Sequence, residues 1–247
     1  MGKYLNVSAG GSSGGGSVPS TGLVLYSGYD ADVNDHSASA ISVANTGCTI
    51  NSSSQKVGTG CLSFGINNYL KFSSAIPFGS SYGSCFSFWM NLTTMTLGTN
   101  NSSSNQFIEF MGYLPLLISI NKKSSSTYTI ATTIYGAYPP PETATLNINT
   151  WYHVVYNFGG TSASPLLTLY INNAVSGTQN STSLSNFKYA PVGSSNWSGY
   201  NLYSWINNGD ATAFGLNSAN FTGYVDALRV YNRALTTGEV TALYNET

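Results

Sequence analysis

The segment that most constrains the fold lies close to the C-terminus. It has the sequence Phe221-Thr-Gly-Tyr-Val-Asp-Ala-Leu-Arg-Val-Tyr-Asn-Arg-Ala-Leu235. Val225, Leu228 and Val230 are the apolar positions of a predicted strand, which Gly223 precedes and the turn residues Asn232 and Arg233 follow. The pattern therefore predicts a long strand that ends in a turn.

A short helix is predicted directly after that strand. The sequence continues Thr236-Thr-Gly-Glu239-Val240-Thr-Ala-Leu-Tyr244. The Thr236 side chain can cap the free amides of the first turn, and Glu239 can reach back to the amide of the capping residue. Leu235 and Val240 stand at the two ends of a hydrophobic staple, so the start of the helix is well defined.

This strand and helix resemble the closing segment of the laminin-G-like, concanavalin A-like jelly roll. In that family the pattern Gly-x-Ile-Asp-x-Val-Arg-Ile-Tyr-Asn-Arg-Ala-Leu leads into a final helical turn. Five further segments resemble family strands in the same order along the chain: Lys56–Phe64, Asn67–Phe72, Phe86–Met90, Trp151–Tyr156 and Leu167–Asn173. The resemblance covers about residues 22 to 246. It implies an all-β fold, a two-sheet antiparallel β-sandwich with a short C-terminal helix.

The resemblance leaves the function open, because this scaffold carries lectins, pentraxins, binding modules and some hydrolases. Composition supports one all-β domain over residues 22–247, since 42% of the 247 residues are hydrophobic and 26 are Gly. Charged residues make up 7% of the chain, against about 25% in an ordinary soluble domain. With a net charge of -1 and no basic run, the chain lacks the electrostatic signature of a partner for nucleic acid or an anionic membrane.

The N-terminal segment, residues 1–21, is predicted to be an arm and not part of the sandwich. It begins Met1-Gly-Lys-Tyr-Leu-Asn-Val7, which has no basic region followed by an apolar one, so no secretory signal is expected. Gly and Ser dominate from Ala9 to Ser17. A segment of this composition recovers the entropy lost on ordering only through contacts. We therefore expect the arm to dock on a partner chain or on a neighbouring copy.

A candidate metal site lies in the loop after the first predicted strand. Asp30, Asp32, Asn34 and Asp35 supply several oxygen ligands of the kind that Ca²⁺ prefers. The family resemblance implies a structural calcium held by the matching residues Asp30 and Asp226. The loop departs from the family pattern after Asn34, which leaves the number of ligands open. The alternative is that Asp226 accepts backbone hydrogen bonds and that the loop is a solvated turn.

A candidate recognition surface lies between residues 194 and 210. There Trp197, Tyr200, Tyr203 and Trp205 alternate with Asn, Ser and Gly. Rigid rings supply contact area and amides supply hydrogen bonds, a combination that suits the apolar faces and hydroxyl edges of a glycan. The alternative is that these rings close over the core or pack against a neighbouring subunit.

The carboxylates and histidines do not form a recognisable catalytic pattern. Glycoside cleavage requires two acids on one strand face, whereas Glu109 and Glu142 stand apart in the sequence and Glu239 belongs to the helix cap. His153 is expected to hydrogen-bond across the sheet, and His36 lies in a turn without a partnered nucleophile. We therefore predict that the protein is not an enzyme.

The three cysteines, Cys48, Cys61 and Cys85, match no zinc or redox spacing and are predicted to be small buried hydrophobic residues. A bridge between Cys48 and Cys61 remains an alternative for a protein outside the cell.

Two functions fit these observations. One is a structural, decoration or fibre protein on the surface of a virion, most simply that of a phage, whose arm contacts other virion proteins or further copies. Its outward-facing lectin-like domain could also bind host glycans. The other is a carbohydrate-binding or adhesion module of a cell-surface or secreted protein.

Overall fold

The computed structural model describes residues 16–65, 68–72, 83–96, 107–113, 116–134, 143–161, 163–180, 204–206 and 220–246. Within these ranges the chain forms strands and one helix. The strands are β1 (Leu23–Ser27), β2 (Val43–Thr46), β3 (Thr49–Asn51), β4 (Cys61–Phe64), β5 (Tyr69–Phe72), β6 (Ser84–Thr96), β7 (Phe107–Tyr113), β8 (Leu116–Lys122), β9 (Thr127–Ile134), β10 (Leu146–Asn147), β11 (Tyr152–Gly160), β12 (Pro165–Ile171), β13 (Ala174–Asn180), β14 (Ser204–Ile206) and β15 (Asn220–Tyr231). The helix is α1 (Thr237–Tyr244).

The strands form two antiparallel sheets. The first sheet has the order β13-β12-β11-β6-β15-β4-β3, and β1 pairs with β15 beside β4. The second sheet has the order β10-β9-β8-β7-β14-β5-β2. This arrangement confirms the predicted all-β, two-sheet sandwich with a short C-terminal helix.

The predicted closing strand, β15, is the central element of the first sheet. It pairs with β6 along one edge and with both β4 and β1 along the other. Gly223 allows the close approach to β6, since a Cβ atom there would collide with the carbonyl oxygen of Asn91. The register shifts between Asp226 and Arg229, and Ala227 has a φ of 47°, so the strand carries a bulge at this point.

The hydrophobic core lies between the two sheets. It is built by alternate residues of the paired strands, which turn one side chain in two toward the other sheet. Its buried members include Phe64, Phe72, Phe86, Phe88, Ile118, Ile130, Tyr156, Leu169, Val225 and Val230. The intervening residues of the first sheet point to its outer face.

Helix α1 covers one end of that outer face. Leu235, Val240 and Leu243 pack on Val155 and Tyr231 in a second buried cluster. The predicted capping box is present: the Glu239 amide donates to Thr236 Oγ1 and the Thr236 amide donates to Glu239 Oε2, at 3.3 and 2.8 Å. No helix in the described part of the chain is both long and apolar enough to cross a bilayer.

Candidate functional site

Asp226 lies at the bulge of β15, on the outer face of the first sheet, and is completely buried. Its Oδ2 atom accepts hydrogen bonds from the backbone amides of Lys56 and Val57, at 2.8 and 2.9 Å. The other carboxylate oxygen, Oδ1, is buried and has no hydrogen-bond partner among the described residues. Burial raises the pKa of Asp226 to about 6, and the backbone hydrogen bonds oppose that rise.

Asp30 follows β1 and binds the same segment a few residues further on. Its Oδ1 atom accepts hydrogen bonds from the amides of Thr59 and Gly60, at 2.5 and 3.1 Å, and from the Thr59 hydroxyl at 3.1 Å. Gly58 adopts a left-handed φ of 64°, and a Cβ atom there would collide with the Asp30 carboxylate. The charge of Asp30 adds to the rise in the Asp226 pKa. The structure thus brings both predicted acids onto one segment, residues 56–60.

Oxygen atoms of the type that a hard cation binds lie around these acids. The carbonyl oxygens of Tyr29 and Asp30 face the same segment, because a Cβ atom on Gly60 would lie 2.6 and 3.0 Å from them. The unpartnered Oδ1 of Asp226 is an acceptor for which the described chain provides no donor. Carboxylate and carbonyl oxygens are the ligands that Ca²⁺ takes. Among the described residues there is no group of three or more His, Cys, Asp or Glu side chains that could hold a metal. Carbonyl oxygens would therefore have to complete the coordination.

The other acids of the predicted donor loop have structural partners. Asp35 is buried and accepts hydrogen bonds from the amides of Tyr26, Ser37 and Ile41, at 2.9, 2.8 and 2.8 Å. Asp32 accepts from the Asn34 amide and lies 3.0 Å from the His36 ring. These two carboxylates shape the loop and do not join Asp30 and Asp226 on the 56–60 segment.

His153 is buried on the outer face of the first sheet and hydrogen-bonds to Ser87 of β6 at 2.9 Å, which confirms the predicted cross-sheet contact. Burial lowers the pKa of His153 to about 3, and the charge of Arg229 lowers it further. The ring is therefore neutral at physiological pH. Trp89 lies beside it, with Tyr244 of α1 stacked on the indole at 5.6 Å and the Lys56 ammonium 4.6 Å from the ring.

The described glutamates lie in different parts of the structure. Glu239 pairs with Arg233 in the helix cap, and Glu246 pairs with the buried Arg229 at 2.6 Å. Glu109 lies in β7 opposite Ser119, and Glu142 is outside the described residues.

The predicted glycan-binding rings fall mostly outside the described residues. Trp197, Tyr200 and Tyr203 lie there. Trp205 is in β14, where it pairs with Lys71 of β5 and Gly112 of β7, in the interior of the second sheet. The described structure therefore does not bring the four residues together, and their role stays a prediction.

The three cysteines are buried and free, as expected of small hydrophobic residues. Burial raises the pKa of both Cys48 and Cys61 to about 12, which makes both thiols unreactive at neutral pH.

Sequence analysis missed one pair of half-buried rings, Trp151 and Tyr224, on the outer face of the first sheet. Trp151 immediately precedes β11 and Tyr224 lies in β15, so about 70 residues separate them in the chain. Strand alternation from His153 backwards would have placed Trp151 on the outer face, but only the strand order shows that Tyr224 is near it.

Comparison with known families gives one match over most of the chain. A laminin G-like family model, described as the concanavalin A-like lectin/glucanases superfamily, matches residues 64–241. A comparison with curated proteins gives no match.

Solved structures with the same fold include carbohydrate-related and toxin domains. One is domain 4 of AbnA, an extracellular arabinanase of Geobacillus stearothermophilus, in complex with arabinotriose. Its sequence is 17% identical to this chain, the alignment covers 90% of this chain and 98% of that chain, and the TM-score is 0.57. Another is the ligand binding domain of botulinum neurotoxin serotype D in complex with N-acetylneuraminic acid, at 10% identity, 91% and 51% coverage and a TM-score of 0.58.

A third is the binding domain of Paraclostridial Mosquitocidal Protein 1, at 16% identity, 91% and 52% coverage and a TM-score of 0.59. The chain thus spans about half the length of the two toxin domains. At these identities the likeness concerns the fold.

Proposed function

Because the chain belongs to the concanavalin A-like lectin/glucanase superfamily, we propose that it is a non-catalytic surface module that binds glycans. The family match over residues 64–241 carries this proposal. It is supported by two solved structures of this fold that hold arabinotriose and N-acetylneuraminic acid. The neutral, buried His153 and the arginine-paired Glu239 and Glu246 support a role in binding and not in acid-base chemistry.

The experiment that tests the proposal is a screen of the purified chain against an array of immobilised oligosaccharides. We expect binding to at least one class of glycan. The double variant Trp197→Ala, Trp205→Ala tests whether the predicted loop contributes, and it should weaken binding while it keeps the melting temperature of the native chain. An affinity that is unchanged in the double variant would exclude the loop, and a chain that binds no glycan would contradict the proposal.

We further propose that the module is a structural, decoration or fibre protein on the surface of a virion. The low content of charged residues, 7%, supports a permanently exposed surface that is hydrated through Ser, Thr and Asn. The described end of the arm, residues 16–21, is held by the domain, which supports a fixed direction for the residues before it. The Tyr231 hydroxyl donates to the Pro19 carbonyl at 3.0 Å and Arg233 Nε donates to the Thr21 carbonyl at 2.9 Å. The arm therefore leaves the domain beside α1.

The partners in this proposal are other virion proteins or copies of the same chain, contacted through residues 1–15, with no role for nucleic acid or membrane. Electron microscopy of particles that carry the chain would locate it. We expect density on the outer surface, lost when residues 1–15 are deleted. A soluble monomer with affinity for glycans and no particle association would instead support an adhesion module of a cell-surface or secreted protein.

A structural calcium ion at Asp30 and Asp226 is part of the proposal. A bound cation would supply positive charge to the unpartnered Asp226 Oδ1 and would fix residues 56–60 against the sheet. Dialysis against a chelator should then lower the melting temperature, and added Ca²⁺ should restore it. A melting temperature that is the same with chelator and with Ca²⁺ would exclude the ion.

A further inference from the structure

Four residues of neighbouring strands form a line across the outer face of the first sheet, at the end away from the start of α1. Asn91 of β6 pairs with Tyr224 of β15, and Tyr224 pairs with Ser63 of β4. Tyr152 of β11 pairs with Met90 of β6, and the two strands are antiparallel. Trp151, which precedes Tyr152, is therefore level with Asn91, on the side of β6 opposite Tyr224. We call Trp151, Asn91, Tyr224 and Ser63 the aromatic row. All four side chains are half-buried, which leaves part of each in contact with solvent.

The two rings of the aromatic row converge over the strand between them. Strands β11 and β15 flank β6, so their backbones are about 10 Å apart. The ring centroids of Trp151 and Tyr224 are only 6.3 Å apart, with their planes inclined by 35°. At this separation neither ring fully covers the other. Together they form an uncharged aromatic surface above Asn91.

The rings are held in place before any ligand arrives. The Trp151 indole Nε1 donates to the Ser54 carbonyl at 3.1 Å, and the indole packs against the buried cluster of Val57, Trp89 and Ala227. Tyr224 is in the centre of β15, paired on both sides. Because the Trp151 ring is ordered by these contacts and the Tyr224 ring packs beside it, part of the conformational entropy cost of binding is already met.

The polar groups of the aromatic row suit a hydroxylated ligand. Asn91 is half-buried, and its Oδ1 atom is buried, so a ligand can reach only the exposed remainder of this side chain. Ser63 supplies a hydroxyl beside Tyr224, and the exposed Thr49 pairs with Ser63 at the end of the line. None of these side chains is charged. A ligand with an apolar ring face and hydroxyl edges, and with no need of a counter-ion, matches this chemistry.

We propose that the aromatic row is a binding platform for a neutral sugar, which stacks on Tyr224 and Trp151 and hydrogen-bonds to the amide and hydroxyl groups beside them. This inference rests on the proposed function and gives it a site in the described structure. The platform is separate from the 194–210 segment, so the two can be tested independently.

The test measures the affinity of single variants by isothermal titration. Arabinotriose and the neutral oligosaccharides that bind best in the array screen are the probes. Tyr224→Ala should weaken binding by about tenfold or more, because it removes one stacking surface. Tyr224→Phe, which keeps the ring, should remain within about threefold of the native chain. Tyr69→Ala removes a half-buried tyrosine from β5 of the second sheet and should leave the affinity unchanged.

A second measurement does not depend on the folding of a variant. The indole N–H signal of Trp151 in the native chain, assigned by its loss in Trp151→Phe, should shift when the sugar is titrated in. If the signal stays in place and Tyr224→Ala binds as the native chain does, the platform is wrong, while glycan binding by the native chain would still uphold the proposed function. If the native chain binds no neutral glycan, the platform is overturned, and the proposed function fails with it unless a charged glycan binds.

Discussion

The two ends of the outer face of the first sheet are built in different ways. At one end α1 packs on Tyr231 and Val155, the capping box satisfies the first helical turn, and Asn157 holds the chain that enters the helix. At the other end the aromatic row is half-exposed, with Trp151 held by the Ser54 carbonyl and by the cluster of Val57, Trp89 and Ala227. From Cys85 to Asn91 along β6 the two ends are about 20 Å apart.

This difference indicates that one sheet face serves two purposes. The helix end buries apolar surface and completes backbone hydrogen bonds, so it contributes to stability. The row end leaves part of two aromatic rings in contact with solvent, and a ligand that covers this apolar surface gains free energy. The described end of the arm, residues 16–21, contacts the domain at the helix end.

The sharpest contrast between the two ends should appear in stability. Leu243→Ala, in the buried cluster under α1, should lower the free energy of unfolding by about 2–5 kcal/mol, because it leaves a cavity. Tyr224→Ala should cost about 1 kcal/mol, since its ring is half-exposed. Urea denaturation of both variants measures the difference. Equal losses would show that the row end is as much a part of the core as the helix end.

The loop that borders the aromatic row should be sensitive to cations and should lose stability as the pH rises, whereas the Arg233–Glu239 pair at the helix end should lose stability only as the pH falls. In calcium-free protein the pKa of Asp226 is about 6 and the unfolded value is near 3.8, so folding is favoured by protonation. Stability from this group is complete below pH 4 and is lost as pH rises through 6, by about 3 kcal/mol in all. The free energy of unfolding of the native chain and of Asp226→Asn, measured from pH 4 to pH 8 in the presence of a chelator, checks this prediction.

In Asp226→Asn that loss should be absent, and Ca²⁺ should no longer stabilise the protein. If the free energy of unfolding changed with pH in the same way in the native chain and in the variant, Asp226 would not be the source of the pH dependence.

At the helix end, Asn157 joins the sheet to the chain before α1. Its Nδ2 atom donates to the Leu235 carbonyl and its Oδ1 atom accepts from the Leu235 amide, both at 2.8 Å. Asn157→Ala should cost about 1–3 kcal/mol, because two buried backbone groups lose their partner. Thermal unfolding measures the loss. Asn157→Asp places a buried carboxylate oxygen against the Leu235 carbonyl oxygen, so at neutral pH it should cost at least as much as the alanine variant.

The smallest effect is expected at the cap of α1. Thr236→Ala removes the acceptor for the Glu239 amide and should cost about 1 kcal/mol, while Thr236→Ser should remain close to the native chain. Glycan affinity should be unchanged in both, since the cap is at the far end of the face from the aromatic row. A loss of affinity in Thr236→Ala would show that the two ends are coupled.

The fold could be predicted because its signals are local. The capping box of Thr236 and Glu239 and the apolar strand positions Val225, Leu228 and Val230 depend on neighbours in the sequence, and both are confirmed. The expectation that Asp30 and Asp226 lie near each other came only from the family resemblance, because the two residues are far apart in the sequence. The aromatic row could not be predicted, because Trp151 and Tyr224 are brought together by the order β11-β6-β15, which is a long-range property.

The most direct test of the account measures binding and cleavage in one sample. The native chain is incubated for a day with the oligosaccharide that binds best, and both the bound fraction and the reducing ends released are followed. The account predicts saturable binding, weakened in Tyr224→Ala, with no more reducing ends than in a protein-free control. Release of reducing ends above that control, or the absence of any binding, would contradict it.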